Sequence, residues 1–257
     1  MDSTLKGKHL FFDLDGTIHF HGSFPKENVD AMLRARAEGA KLILNTGRAR
    51  GNYEAEFQNT CPIAWDAKIY GMSDIVEGKK TLVRHKMSFR QLYPWYQYAM
   101  RHRQTFILEG YRRDLPIRFE KFGERLSVWK KLSCFFRLLF GKWISHTTKL
   151  TLLGDVDWND LPKSNLEVVQ QPRYFEVLPK GRDKGTAILE YCRLTGTDPR
   201  NCVCFGDSGN DLGMFRVCGT GICMCNAPKE LIELSSYQAK GPYGVAEGID
   251  RFLQKGD

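Results

Sequence analysis

The chain has 257 residues, 42% of them hydrophobic, and 38 Lys and Arg against 30 Asp and Glu give it a net charge of +8. That length and apolar content suit one large or two modest globular domains and exclude a disordered chain. No apolar run reaches the roughly 18 residues of a membrane span, and the start Met1-Asp2-Ser3-Thr4-Leu5-Lys6 lacks a long apolar leader, so a cytoplasmic protein is expected.

Leu10-Phe11-Phe12 reads as a short buried strand that breaks into the acidic turn Asp13-Leu14-Asp15-Gly16-Thr17. Pro25-Lys26-Glu27-Asn28 then opens a helix whose apolar stripe is expected to use Val29, Met32 and Leu33. Gly39 stops it before the strand Lys41-Leu42-Ile43-Leu44, which completes a βαβ unit. From about Lys79 to Glu176 the pattern changes. Aromatics crowd in at Phe89, Tyr93, Trp95, Tyr96 and Tyr98, and a long basic amphipathic stretch runs from Ser127 to Ile144. Residues 79–176 therefore read as an inserted second domain, with 1–78 and 177–257 as the core that it interrupts. Aromatics of this kind are ordinarily core, although they could also stack on a sugar ring. A second βαβ series follows the insert. Asp183-Lys184-Gly185-Thr186 opens a helix, and Cys202-Val203-Cys204-Phe205 forms a strand that ends in Gly206-Asp207-Ser208-Gly209-Asn210-Asp211. The strand Gly221-Ile222-Cys223-Met224 and a helix from Val245 to Leu253 close the pattern. The expected class is α/β, built on parallel-sheet halves.

The insert carries 19 Lys and Arg against 9 Asp and Glu, so all the excess positive charge lies there and the rest of the chain is slightly acidic. Such a positive wall would attract an anionic small molecule, although any single Lys or Arg is ordinarily a solvated surface charge. Without a helix-turn-helix, zinc-finger or RNA-recognition pattern, no nucleic-acid partner is expected. The stretch from Trp129 to Trp143 sets Phe135, Phe136, Leu138, Leu139 and Phe140 among cations and could lie on a membrane surface. A helix packing on its own sheet needs no membrane, and that reading is preferred. The eight cysteines read as reduced thiols, and Cys218, Cys223 and Cys225 lack a partnering pair at zinc spacing.

The two acidic turns point to phosphoryl transfer. A carboxylate such as Asp13 can attack phosphorus and split one difficult substitution into two easier ones. Asp15, two residues on, projects to the same side of an extended segment and can exchange protons with the leaving alcohol and the attacking water. Several carboxylates beside a phosphate call for a hard divalent cation, and Mg2+ suits such oxygen ligands. Asp207 would be a ligand, Asp211 would support it, and Asn210 could orient substrate. Asn45-Thr46-Gly47-Arg48, at the end of the second strand, offers a hydroxyl and backbone N–H groups for the phosphoryl oxygens, and Lys184 adds an ammonium. Blander readings exist for each. Asp13 to Thr17 could be a self-capped turn, Thr46 could cap the next helix, and His19 and His21 read as solvent-exposed loop residues.

Asp13-Leu14-Asp15-Gly16-Thr17, Thr46, Lys184 and Gly206 to Asp211 resemble, in order, the four motifs of the haloacid dehalogenase (HAD) superfamily of phosphatases. Asn226-Ala227-Pro228 and Tyr243-Gly244-Val245-Ala246 resemble the end of its Cof-type sugar-phosphate phosphatases, whereas Tyr70-Gly71-Met72 departs from their usual Asn-Gly-Ala. The resemblance implies a Rossmann-like core with a central parallel sheet and an inserted α/β cap that governs specificity. It assigns the nucleophile to Asp13, the acid/base to Asp15, phosphate binding to Thr46 and Lys184, and Mg2+ to Asp13, the Asp15 carbonyl and Asp207. The expected activity is hydrolysis of small phosphorylated metabolites, sugar phosphates first. A phosphomutase and a non-catalytic phospholigand-binding protein are the alternatives.

Overall fold

The computed structural model describes residues 5–112, 114–119, 128–171 and 173–254. Met1 to Thr4 of the expected leaderless start, and Ser127 at the head of the basic stretch, lie outside them. The chain forms two compact units: Met1–Gly47, Asn59–Val83 and Asp183–Asp257 in the first, and Arg48–Gln58 and Arg84–Arg182 in the second. The chain thus passes between the units at 47/48, 58/59, 83/84 and 182/183, where 78/79 and 176/177 were expected.

The first unit holds β1 (His9–Phe12), β2 (Lys41–Thr46), β3 (Ala67–Tyr70), β4 (Asp74–Glu77) and β5 (Lys80–Arg84). After the five strands of the second unit, it resumes with β11 (Cys202–Gly206), β12 (Thr220–Cys223) and β13 (Tyr237–Gln238). They form one sheet in the order β13-β12-β11-β1-β2-β3-β4-β5. Neighbours from β13 to β3 run parallel, and β4 turns back antiparallel on β3. The buried strands are near-continuous apolar runs, as a sheet covered on both faces requires. Phe12 and Phe205 stack across the central pair with ring centroids 4.7 Å apart.

Helix α1 (Lys26–Ala37) connects β1 to β2, but it buries Asn28, Ala31, Met32 and Ala35. Leu33 is exposed and Val29 only half-buried, so the stripe expected through Val29, Met32 and Leu33 is rotated. The cause is a closing helix, α8 (Gly244–Gln254), against the small residues of α1; its Ala246 N–H donates to the buried Asn28 Oδ1 at 3.0 Å. An orphan donor of the first turn of α8 is thereby satisfied. The other helices of this unit are α5 (Lys184–Thr195), α6 (Leu212–Val217) and α7 (Lys229–Leu234). The cysteines are free thiols, with Cys192 and Cys202 Sγ atoms 3.6 Å apart in the core.

The second unit has an antiparallel sheet of β6 (Thr105–Glu109), β7 (Leu115–Arg118), β8 (Lys149–Leu153), β9 (Leu166–Gln170) and β10 (Tyr174–Pro179), ordered β7-β6-β8-β10-β9. Helix α2 (Arg50–Phe57) joins this unit, with the Gly51 N–H on the Gly110 carbonyl at 2.7 Å and the Arg50 guanidinium 4.5 Å from the Tyr111 ring centroid. Helix α3 (Phe89–Arg101) starts at a capping box of Ser88 and Gln91, and its Trp95, Tyr96 and Tyr98 enter the core with Phe106 and Phe175. These aromatics are therefore structural. Helix α4 (Val128–Ser145) packs Cys134 and Leu138 into the same core. Its opposite face, with Trp129, Phe136, Phe140 and Trp143, remains exposed, so packing on its own unit uses only half of this helix.

Candidate active site

The parallel register assembles the site. Phe12 pairs with Phe205 on one side and Leu44 on the other, so Asp13, the Asn45-Thr46 end of β2 and the Asp207 loop emerge at the carboxyl ends of three adjacent strands. Open α/β sheets place ligands at that edge. The Asp13 N–H donates to the Phe205 carbonyl at 3.0 Å. The chain then coils tightly, with the N–H groups of Ile18 and His19 both on the Leu14 carbonyl at 3.1 and 2.9 Å. Gly16 makes that coil possible. Its φ is 89°, and a Cβ there would lie 2.8 Å from Asp207 Cγ. Two residues of the coil thus meet the second acidic loop, because the Thr17 hydroxyl also donates to Asp207 Oδ1 at 3.0 Å.

Lys184 is delivered by the first turn of α5. Asp183 caps that helix by accepting the Thr186 N–H at 2.6 Å, and the Thr186 hydroxyl oxygen accepts the Asp183 N–H in return at 2.9 Å. A Cβ on Gly185 would lie 2.9 Å from Gly213 Cα, so the backbones of α5 and α6 approach to a distance that only glycine allows. The fully buried ammonium of Lys184 then sits 2.5 Å from Asp13 Oδ1 and 2.6 Å from Asp211 Oδ1. Asp211 Oδ2 accepts the N–H groups of Asp207 and Ser208 at 2.9 and 3.1 Å. Both oxygens of Asp211 are engaged, which makes it the residue that holds Lys184 and shapes the loop.

Carboxylates outnumber cations here. Burial pushes the Asp13 carboxyl up to about 8, with Lys184 opposing the shift and Asp211 and Asp207 adding to it. Burial likewise raises Asp207, with Asp211 adding and Thr17 and Lys184 opposing. Burial draws the Lys184 ammonium down, but Asp13 and Asp211 outweigh it and hold the group above the ordinary lysine range. Ligand oxygens of Asp13, Asp207 and Asp211 all lie within 4.8 Å of one another. This all-oxygen, anionic donor set, short of positive charge, fits Mg2+.

The remaining expected residues are placed differently. Asp15 lies outside this acidic cluster; its side chain is 47% exposed, and Oδ1 lies 3.6 Å from His19 Nδ1. His19 is not the exposed loop residue expected, since its side chain is 11% exposed and its ring packs 5.0 Å from Phe24. Its spacing of four from Asp15 was the available signal. His21 is exposed. Thr46 is buried as the last residue of β2, its carbonyl accepting the Gly71 N–H at 2.9 Å; the next helix is entered at Ala49, so Thr46 is not its cap. Gly47 follows directly. Asn210 is exposed, and its Oδ1 accepts the Ser208 hydroxyl at 3.0 Å within its own loop. Sequence reasoning gave no role to the Asn45 side chain, whose buried amide donates to the Lys184 carbonyl at 3.1 Å and ties the end of β2 to the start of α5.

The chain is similar to known proteins. The family described as haloacid dehalogenase-like hydrolase matches residues 10–131 and 157–249. The Bacillus subtilis protein YxeH, which carries a provisional phosphatase name, is 25% identical over 96% of this chain and 98% of its own. The 5-amino-6-(5-phospho-D-ribitylamino)uracil phosphatase YwtE of the same organism is 40% identical over 31% of this chain and 28% of its own. Among solved structures, the HAD subclass IIB sugar phosphatase BT4131 shares the fold with a TM-score of 0.74 at 20% identity, covering 95% of this chain and 98% of that one. The chain belongs to the haloacid dehalogenase-like hydrolases.

Proposed function

We propose that the enzyme hydrolyses small phosphorylated metabolites, sugar phosphates first, through an aspartyl-phosphate formed on Asp13. The observation that carries this reading is the buried Lys184 ammonium shared between Asp13 and Asp211 beside Asp207. Lys184 holds Asp13 Oδ1 and so orients the carboxylate for attack. The Asp13 oxygen bonds to phosphorus as the bond to the ester oxygen breaks, and Asp15 gives that oxygen its proton. Water then attacks the phosphorus of the acyl phosphate, Asp15 takes the water proton, and Asp13 is released with inorganic phosphate. The exposed setting of Asp15 beside His19 suits a group that trades protons with substrate and water.

Asp13 and Asp207, with the Asp15 carbonyl, would hold the Mg2+, whose chemistry is to neutralise the phosphoryl oxygens and the crowded carboxylates. Thr46, the Gly47 N–H and Lys184 would bind the phosphoryl oxygens, and Asn210 would orient substrate. Selection among substrates is assigned to the second unit, where the excess positive charge resides. The sugar-phosphate preference is supported by the names of YwtE and BT4131, which act on a phosphoribityl compound and a sugar phosphate.

The test is hydrolysis of an aryl phosphate, with and without Mg2+, by the parent and by Asp13→Asn. Metal-dependent release by the parent and its loss in the variant are expected. Full activity in the variant, or none in the parent, would sink the mechanism.

A further inference from the structure

Helix α4 is apolar on two opposite sides, and among the described residues only one of them packs into the core. Cys134 and Leu138 face the core, whereas Trp129, Leu132, Phe136, Leu139, Phe140 and Trp143 are exposed, the two tryptophans by 78% and 79%. At 3.6 residues per turn those six positions fall within an arc of about 100°, in a stripe about 21 Å long from Trp129 to Trp143. Arg137 borders the stripe on one side and Lys142 on the other, each about 60° from its edge; α4 contains no Asp or Glu. Beside Trp143 lies a cleft of about 320 Å³ lined by Lys86, Ser88, Lys142, His146 and Thr147, which brings cations from two parts of the unit to the end of the stripe.

We propose that α4 docks the enzyme onto an anionic lipid bilayer, with the aromatic stripe lying in the headgroup boundary and the cleft receiving a lipid phosphate. The charge pattern selects this occupant. A second copy of the chain would bring Arg137 and Lys142 against like charges, whereas an anionic bilayer satisfies both. The stripe also has the anatomy of an interfacial helix, with a tryptophan at each end and leucine and phenylalanine between them. Among the described residues no helix is long and apolar enough to cross a membrane, so the contact is peripheral. This inference stands apart from the phosphatase mechanism, because none of its residues belongs to the acidic site.

The experiment is flotation of the full chain with vesicles of phosphatidylcholine alone and of phosphatidylcholine mixed with phosphatidylglycerol. Binding to the mixed vesicles is expected to be about tenfold or more stronger and to weaken as salt is raised. Trp129→Ser with Phe140→Ser should lower partitioning about a hundredfold. Lys86→Glu with Lys142→Glu should abolish the preference for anionic lipid. All variants should hydrolyse the aryl phosphate as the parent does, which reports intact folding without involving lipid. The proposal is overturned if the parent floats with neither vesicle, or if the Trp129/Phe140 variant floats as well as the parent. It is also overturned if the stripe instead holds a dimer that the Trp129/Phe140 variant dissociates.

Discussion

The Thr17 hydroxyl donates to Asp207 Oδ1 across 190 residues of chain, at 3.0 Å. It fixes the orientation of one carboxylate of the proposed metal pair from the loop that carries the nucleophile. Thr17→Val keeps the volume and removes the donor. A hydrogen bond to a charged group is worth about 1.5–3 kcal/mol, so kcat/KM should fall about 10–100-fold, with a rise in the Mg2+ concentration for half-maximal activity. Thr17→Ser should restore both. An unaltered Mg2+ titration in Thr17→Val would show that this bond does not position Asp207.

Lys184 and Asp211 act as one unit. Removing the buried ammonium strands Asp13 and Asp211, and breaking a buried pair costs about 3–5 kcal/mol, so Lys184→Met should be strongly destabilised in denaturant unfolding. Asp211→Asn removes one of the stranded charges. The double variant should therefore lose less than the two single losses combined, with a coupling of about 0.5–3 kcal/mol. Strict additivity would mean that the two side chains do not share their stabilisation.

The two glycines flanking the site should respond unequally to substitution. At Gly16 a methyl group meets both a φ of 89° and the Asp207 carboxylate, so Gly16→Ala should lower the Tm and remove most activity. At Gly47 a methyl group would have no heavy atom within 4 Å, and φ is not left-handed. Gly47→Ala should unfold within about 0.5 kcal/mol of the parent. Equal Tm losses in the two variants would contradict this local geometry.

In the second unit, Lys149 lies 2.7 Å from Glu176 and 3.2 Å from Glu109, on neighbouring strands β10, β8 and β6, and the Thr151 hydroxyl also donates to Glu109. Burial draws the Lys149 ammonium down, but the two glutamates outweigh it and raise the group above the ordinary lysine range. The folded state therefore keeps this proton longer than the unfolded chain does. The resulting stability is complete below the unfolded lysine value of about 10.4 and is lost as pH climbs beyond it towards the folded value. Lys149→Met should be less stable than the parent at neutral pH by about 3–5 kcal/mol. The gap should narrow in unfolding measurements carried above about pH 10; a gap that is constant there would show that Lys149 is not held as the cation.

The ends of β1, β2 and β11 were legible in the sequence because short apolar runs stop abruptly at Asp13, Asn45 and Gly206, and the parallel register brings those stops to one edge. Lys184 was legible through its place at a helix start directly before Gly185. What was not legible depended on partners distant in sequence. The rotation of α1 follows from α8, more than two hundred residues away, whose Ala246 N–H selects Asn28. Asn45 looks like a neutral strand residue until its amide meets the carbonyl of Lys184. In α4, burial and exposure of apolar side chains alternate around the helix, and an amphipathic pattern alone cannot say which apolar face has a partner.

Strand β1 lies between β2, which follows it within about thirty residues, and β11, which is translated almost two hundred residues later. A ribosome that has finished the first eighty residues has made the nucleophile's strand and one of its neighbours. The other neighbour, the lysine and the second acidic turn are still unmade. The antiparallel sheet of the second unit is contiguous from β6 to β10 and can close earlier. Synthesis therefore withholds Asp13 from its electrostatic partners until the final third of the chain emerges, and long-range strand docking is expected to be the step that completes the site.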